Sequence, residues 1–358
     1  MADQGASSRR DRSCLVRKML VGISILLAAY VVLSLVGSVV IFRTLFGRKE
    51  LPAANLEYAY TEAVGRRYPR TAETFPSGKN LLRGYRYAGG ENGTVVIVSG
   101  FAGGADTHLP EAMYFVDHGW TVFCFDGTGA RESEGSGVMG LSQLKLDLLA
   151  ALAYLRESSP DAPVVLYGHS QGAYAAATVL NDCPEVRAAV CIAAFESPVE
   201  TMYYHAKQRV GMLADLGYPF LCLYNALLFG SECNESASAA IAEADVPVLV
   251  VSGSEDETVP DAISLYAHCA ELESADAQTL RIEKPPRNHH STLWRSEDGA
   301  SYFLEKADAL DALRDRYGDV KPGGEADAIL RGLDYEKLGE ADAAFMESVQ
   351  EFFLRSVS

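Results

Sequence analysis

The chain has 358 residues, 48% of them hydrophobic, which suits one large α/β domain with an insertion. Its formal net charge is −17, yet residues 1–49 hold eight of the 31 Lys and Arg and only two of the 48 Asp and Glu. The rest of the chain is therefore strongly acidic, which disfavours nucleic acid or an anionic membrane surface as a partner. The seven cysteines form no Cys-x-x-Cys pair, so no zinc or redox motif is present.

An apolar segment near the N-terminus predicts a membrane anchor. Residues 19–42 carry no charged side chain, and at about 1.5 Å per residue these 24 residues can cross a roughly 30 Å hydrocarbon layer. Five basic residues precede the segment and three follow it, which predicts a single-pass protein of the cell membrane with a cytoplasmic N-terminus and an extracytoplasmic catalytic domain. A cleaved signal peptide is the alternative, but the segment is long for one and no Ala-x-Ala-like site follows it.

We accordingly expect a basic cytoplasmic tail at residues 1–18, a transmembrane helix at 19–42, a connector at 43–80 and one folded domain at 81–358. Within that domain, strand-like and helix-like segments alternate, and several strands are continuous apolar runs typical of strands buried on both faces. This predicts a mostly parallel sheet with helices on both faces. The expected strands are residues 81–87, 94–99, 121–125, 164–167, 188–193, 246–252 and 279–283.

Two segments interrupt the alternation. Residues 195–244 are too long for an ordinary connection and are rich in Tyr, Leu, Phe and Met, so they predict a small helical insertion that caps the domain. Residues 297–334 are polar and precede a closing helix at about 335–357. The sequence indicates no role for them.

Residues 168–172 read Gly-His-Ser-Gln-Gly and stand between a strand-like run and a helical pattern. A serine on such a sharp turn needs a strained backbone, and the two glycines remove side chains that would clash there. The turn exposes the Ser170 oxygen and puts the backbone N–H of Gln171 at a helix N-terminus, where it can bind an oxyanion. The pattern predicts a nucleophilic serine.

Serine needs a neighbouring base, and histidine suits that role near neutral pH. His289 and His290 follow the last expected strand, at the edge of the sheet where the ends of parallel strands converge. The side chain of His169 should instead point away from the serine. A His-His pair can also bind a metal, but no further ligands stand at a recognisable spacing.

The orienting carboxylate should come from another strand end. Glu255, Asp256 and Glu257 follow the expected strand at 246–252, and chemistry alone does not choose among them. Such an acidic loop is usually only a solvated turn. Combined with the serine and the histidine pair, however, the chain order is serine, acid, histidine, which is the order of an α/β-hydrolase sheet.

Four stretches make residues 80–358 resemble the α/β-hydrolase superfamily, in particular its capped esterases, lipases and aminopeptidase-like serine hydrolases. Residues 168–172 are similar to its nucleophile elbow, and residues 98–104 (Val-Ser-Gly-Phe-Ala-Gly-Gly) to its oxyanion loop. Residues 125–135 are similar to its Asp-x-x-Gly-x-Gly-x-Ser-x-Gly turn, although Arg131 departs from the pattern. Residues 253–260 are similar to its acid loop.

The resemblance implies roles for particular residues. It selects Asp256, because the family's acid stands about three residues before a Val-Pro pair. It favours His290, which precedes a serine, and leaves His289 as the alternative. The backbone N–H groups of Phe101 and Gln171 are implied as the oxyanion donors.

The sequence thus predicts a serine hydrolase that cleaves carboxylic esters through an acyl-enzyme intermediate, with no metal or organic cofactor. The apolar, aromatic insertion favours a small-molecule ester or acyl substrate with a hydrophobic group. An acyltransferase, a catalytically idle binding module and a membrane-anchored serine peptidase are the alternatives. A peptidase would need acidic residues in the insertion to hold a substrate ammonium, and those available are Glu196, Glu200, Asp215, Glu232 and Glu235.

Overall fold

The computed structural model describes residues 3–49, 55–270, 277–318 and 324–358, with side chains from residue 15 onward. An eight-stranded sheet runs through the described residues. Its strands are β1 (Arg70–Ser77), β2 (Asn80–Tyr87), β3 (Thr94–Val98), β4 (Thr121–Phe125), β5 (Val164–His169), β6 (Val186–Ile192), β7 (Val248–Gly253) and β8 (Ala277–Ile282). Their order across the sheet is β1-β2-β4-β3-β5-β6-β7-β8.

The helices lie before, between and after these strands. They are α1 (Asp3–Leu45), α2 (Leu56–Val64), α3 (Leu109–Asp117), α4 (Gln143–Ser158), α5 (Gln171–Thr178), α6 (Pro198–Val210), α7 (Leu213–Phe229), α8 (Ala237–Glu243), α9 (Leu265–Cys269), α10 (Glu297–Tyr317), α11 (Glu325–Arg331), α12 (Tyr335–Leu338) and α13 (Ala343–Val357). Short 3₁₀ turns cover Gly65–Arg67, Gly230–Asn234 and Asp261–Ile263.

Strands β3 to β8 are parallel, while β1 and β2 join the sheet antiparallel at one edge. The mostly parallel sheet predicted from the sequence is therefore confirmed. In β3, Val96 and Val98 pack into one hydrophobic cluster and Val95 and Ile97 into the other. Because both faces are covered by helices, a strand made only of apolar residues is stable here.

The two faces carry different helices. Helices α4, α5, α8 and α9 contribute to the first cluster, whereas α2, α3 and α10 to α13 contribute to the second. Residues 297–334, whose role the sequence left open, supply Leu310 and Ala326 to the second cluster. They form part of the helical layer that covers this face.

Strand β1 was not expected from the sequence. It lies within the residues predicted as a connector, and only its end is buried, at Phe75 and Ser77. Pro76 is tolerated there because β1 is the edge strand, where a missing N–H costs no ladder hydrogen bond. With few buried residues, an edge strand has a weak hydrophobic pattern.

Helix α1 is longer than the predicted span. Its residues Leu15–Leu45 are long and apolar enough to cross a membrane, by length and composition, and Leu213–Glu243 in the insertion meets the same criterion. Most large apolar side chains of α1 are exposed, but Phe42 and the following Phe46 are buried against the folded domain. Only the C-terminal end of α1 is thus part of the core.

The insertion at residues 195–244 contains α6, α7 and α8. The ammonium group of Lys145 on α4 lies 2.5 Å from carboxylate oxygens of both Glu232 and Glu235. These two ion pairs attach the end of the insertion to the domain. Within the insertion, Glu196 accepts hydrogen bonds from the hydroxyls of Ser236 and Ser238, which joins its start to its end.

Candidate active site

Ser170 lies on the turn that joins β5 to α5. Its backbone has φ 56° and ψ −118°, a left-handed conformation that is strained for a residue with a side chain. The turn is tight: a Cβ atom on Gly172 would lie 2.0 Å from the carbonyl oxygen of Val98. Only glycine allows β3 and the start of α5 to approach this closely, so the local sequence sets the position of Ser170.

Gln171 is the first residue of α5, so its backbone N–H has no partner within the helix. Its side chain has a separate role, because the amide nitrogen donates hydrogen bonds to the carbonyl oxygens of Gly140 (3.2 Å) and Leu141 (2.9 Å). The side chain therefore holds the segment before α4 next to the serine turn.

The loop after β3 lies against this turn. A Cβ atom on Gly100 would be 3.1 Å from the Cβ of Ser170, so the backbone just before Phe101 is next to the serine. The hydroxyl of Ser99 donates a hydrogen bond of 2.6 Å to the carbonyl oxygen of Gly104 and closes the loop. This geometry supports a backbone donor from Phe101 beside that of Gln171.

Asp126 fixes the other end of the loop. Its carboxylate accepts hydrogen bonds from the backbone N–H groups of Ala105 (2.8 Å) and Glu132 (3.2 Å). Burial raises the pKa of Asp126 to about 6, although these backbone donors act in the opposite direction. The carboxylate thus links the loop after β3 to the turn after β4.

His290 and Asp256 lie together at the ends of their strands. The Nδ1 atom of His290 is 2.8 Å from Oδ2 and 3.0 Å from Oδ1 of Asp256. Oδ1 of Asp256 also accepts the backbone N–H groups of Thr258 (2.9 Å) and Val259 (2.8 Å), which fix the orientation of the carboxylate. His289 instead has its Nε2 atom 3.7 Å from Glu255, a partly exposed carboxylate.

His169 connects the serine turn to the histidine loop. Its Nε2 atom is 2.9 Å from the carbonyl oxygen of His290, and the two rings are 4.8 Å apart between centroids. A carbonyl oxygen only accepts hydrogen bonds, so Nε2 of His169 carries the proton. Burial, and then the neighbouring His290 and His108, hold the pKa of His169 well below its ordinary value, so this ring is neutral.

Three of the predicted site residues, Ser170, Gln171 and Phe101, line one cavity of about 470 Å³. Asp256 and His290 are not among its lining residues, although Thr258 and Val259 bring the acid loop to its wall. Most of the remaining lining is apolar and comes from α1, α6 and α7. An apolar cavity with a few polar groups at one end is the usual form of a small-molecule site.

Some residues of this wall were not expected from the sequence. Phe46, just after α1, lies perpendicular to Phe101 with 5.7 Å between ring centroids, and the Nζ atom of Lys49 is 5.3 Å from the same ring. His205 on α6 also lines the cavity, with Nε2 3.0 Å from the carbonyl oxygen of Thr258. No local pattern marks these residues, because long-range packing brings them to the site.

Two sequence comparisons match the central part of the chain. A model of the family described as "Serine aminopeptidase, S33" matches residues 89–217. The uncharacterized protein YfhR of Escherichia coli is 26% identical over 247 residues, which cover 67% of this chain and 71% of YfhR.

Solved structures resemble the chain over a longer range. The Pyrococcus furiosus esterase Pf2001 aligns with a TM-score of 0.51 at 15% identity, over 76% of this chain and 97% of that one. An α/β hydrolase from Vibrio vulnificus aligns with a TM-score of 0.52 at 13% identity, over 76% and 91% of the two chains. At sequence identities this low, these alignments show a similarity of fold alone.

Proposed function

We propose that this chain, which has the α/β-hydrolase fold and an apolar N-terminal helix, is a membrane-anchored serine hydrolase that cleaves carboxylic esters. The observation that carries the proposal is the hydrogen bond of 2.8 Å between His290 Nδ1 and Asp256. His169 links the loop of His290 to the left-handed turn of Ser170, which lies at an apolar cavity. The fold and the family match support a hydrolase in general, without indicating its substrate.

The first half-reaction acylates Ser170. Because the Asp256 carboxylate accepts the Nδ1 proton of His290, the Nε2 atom of that ring is free to act as a base. His290 takes the hydroxyl proton as the Ser170 oxygen attacks the ester carbonyl carbon. The backbone N–H groups of Phe101 and Gln171 bind the negative oxygen that forms, and losing one such donor typically costs about 10²–10³-fold in rate. The ester C–O bond then breaks, and the departing alcohol takes the proton from His290, which leaves Ser170 acylated and completes the first half-reaction.

The second half-reaction releases the acid. Water then gives a proton to His290 and attacks the acyl carbon, and Ser170 recovers its proton when the carboxylic acid leaves. Asp256 remains ionised throughout and stabilises the imidazolium formed in each half-reaction.

The lining of the cavity favours an ester over the N-terminus of a peptide. An aminopeptidase site needs a carboxylate for the substrate ammonium, but among the described residues that line the cavity there is no Asp or Glu, while Lys49 and Arg209 are present. Three acidic residues of the insertion are engaged elsewhere. Asp215 pairs with Lys207, and Glu232 and Glu235 with Lys145.

Labelling with a fluorophosphonate probe tests the proposed nucleophile. We expect the full-length protein to be labelled, Ser170→Ala to lose labelling, and His290→Ala and Asp256→Asn to be labelled much more slowly. His289→Ala is the matched control and should keep its labelling. A folded wild-type protein without labelling, or labelling that persists in Ser170→Ala, would contradict the proposal.

The anchor has its own test. Residues 19–42, within the apolar helical segment Leu15–Leu45, are the proposed membrane span, with the N-terminus in the cytoplasm. Protease added to intact cells should remove a C-terminal epitope and spare an N-terminal one. A protected C-terminal epitope in intact cells that is digested after lysis would contradict this topology.

A further inference from the structure

Three helices wall the cavity around Ser170. Helix α1 contributes Ser38, Ile41, Phe42 and Leu45, which follow helical spacing and share one face. Helix α7 contributes Leu213, Ala214, Gly217 and Leu221, which also share one face, and α6 completes the wall. The helix predicted to cross the membrane is thus part of the substrate cavity.

Helices α1 and α7 are packed side by side. The hydroxyl of Tyr30 donates a hydrogen bond of 2.7 Å to the carbonyl oxygen of Leu216, and its ring lies 5.5 Å from that of Phe220. Nearer the domain, the rings of Phe42 and Tyr224 are 5.0 Å apart. The start of α7 therefore lies beside the middle of α1, and the end of α7 beside the end of α1.

The outer surface of this pair is apolar and exposed. At the connection from α6 to α7, Met212 is 81% and Leu213 is 68% exposed, and farther along α7 Leu227 is 72% exposed. Large apolar side chains of the neighbouring helix α1, among them Leu26, Leu33 and Val36, are exposed as well. A lipid layer around α1 would cover this surface as well, which removes apolar area from water.

The depth of the cavity fits the position of a lipid ester. Arg43 is the first charged residue after the apolar stretch of α1 and is expected at the polar boundary of the membrane. The α1 residues that line the cavity, from Ser38 to Leu45, lie within two helical turns of it. Tyr30, 13 residues before Arg43, lies roughly 20 Å deeper if α1 runs along the membrane normal. Esters of membrane lipids join the headgroup to the acyl chains, so they lie at this boundary.

The charged residues near the connection are compatible with this placement. Lys207 and Asp215 form an ion pair of 2.5 Å, so their charges cancel locally. Lys49 follows Arg43 and lines the cavity near the polar boundary, while Arg209 lines the cavity, where a charge is sheltered from the acyl chains.

We infer that the substrate is the acyl ester of a membrane lipid that reaches Ser170 from within the bilayer, through the side of the cavity that α1 and α7 form. The acyl chain lies along the apolar faces of the two helices while the ester group meets the serine. The inference rests on the proposed serine hydrolase function and adds the substrate class and its route.

Two esters with the same leaving group separate this route from entry through water. The full-length protein is reconstituted in phosphatidylcholine vesicles and supplied with 4-methylumbelliferyl acetate in solution or with 4-methylumbelliferyl oleate dissolved in the membrane. We expect both to be hydrolysed, and the oleate at least 10-fold faster when it is in the same vesicles as the protein than when it is in separate ones. Equal rates from the two vesicle populations would overturn the inference, as would hydrolysis of the acetate alone.

A substitution at Gly217 tests this route. Gly217 lines the cavity, and no atom lies within 4 Å of the position of an added Cβ, so Gly217→Trp narrows the α7 side of the cavity without a clash at Cβ. We expect it to lower oleate hydrolysis at least 10-fold more than acetate hydrolysis. Gly22→Trp, on α1 outside the cavity and also without close neighbours, is the control and should change neither rate.

The failures are distinguishable. If neither ester is hydrolysed and the fluorophosphonate probe does not label Ser170, the proposed function fails and this inference fails with it. If the acetate is hydrolysed and Gly217→Trp affects both esters equally, the proposed hydrolase function remains and lipid entry through the side of the cavity formed by α1 and α7 is wrong.

Discussion

The Nε2 atom of His169 lies 2.9 Å from the carbonyl oxygen of His290, so the residue before the proposed nucleophile holds the loop that carries the proposed base. The contact joins the end of β5 to the segment after β8, which the sheet order separates by two strands. We therefore propose that His169 positions the loop of His290 and does not itself transfer a proton.

Removal of this hydrogen bond should lower catalysis more than stability. In His169→Phe the ring volume is kept but the N–H donor is lost, and a displaced base can cost about 10²-fold in rate. We expect kcat for a soluble ester to fall about 10- to 100-fold with little change in KM, and His169→Gln, which keeps a donor, to recover part of the loss. His118→Phe on the exposed end of α3 is the control. A KM change without a kcat change would argue against a positioning role.

Gly172 should tolerate no larger residue. An added Cβ would lie 2.0 Å from a backbone oxygen of Val98, so β3 or α5 must move. We expect Gly172→Ala to reduce stability by about 3 kcal/mol, at the upper end of overpacking effects, and to reduce activity. Gly217→Ala, in open space within α7, should be neutral or stabilising by up to about 1 kcal/mol, because alanine favours helix. The melting temperatures of the two variants are measured by circular dichroism. Equal melting temperatures would contradict the predicted clash at Gly172.

Asp126 should make stability depend on pH. Burial raises its pKa to about 6 from an ordinary value of 3.8, so the folded protein binds this proton more tightly than the unfolded chain. The contribution of Asp126 to stability is therefore fully present below about pH 3.8 and is lost as the pH rises through about 6. Asp126→Asn should remove this dependence, so its melting temperature should rise relative to wild type between pH 4 and pH 7. If the difference in melting temperature between the two proteins stayed constant from pH 4 to pH 7, the raised pKa of Asp126 would be contradicted.

Lys145 should hold the insertion on the domain. Burial alone would lower the pKa of Lys145, but its hydrogen bonds to Glu232 and Glu235 outweigh this and raise it, so the ammonium is charged. In Lys145→Met the two carboxylates lose their common partner. We expect a loss of about 2 kcal/mol, below the 3–5 typical of a fully buried pair because both carboxylates are partly exposed.

Limited proteolysis measures this effect, because a detached insertion should be cut faster within residues 230–236. Lys284→Met removes an exposed ion pair with Glu297 and is the matched control, for which we expect little change. Equal cleavage rates in the two variants would show that Lys145 does not hold the insertion.

The sequence alone was sufficient to predict the parallel sheet, since strands buried on both faces are continuous apolar runs such as residues 94–98. It also located the turn of Ser170, because the glycines at 168 and 172 and the helix that follows are local requirements of a strained backbone. Edge strand β1 was not found, since few of its residues are buried.

Only the tertiary structure decided which neighbouring side chains meet. His290 hydrogen-bonds to Asp256 while the adjacent His289 points to Glu255, a difference of orientation that no spacing in the sequence determines. It also placed Phe46 at the end of α1 against Phe101, more than 50 residues later, at the wall of the cavity. Periodicity and turn chemistry depend on residues close in the chain, whereas these contacts depend on the packing of distant elements.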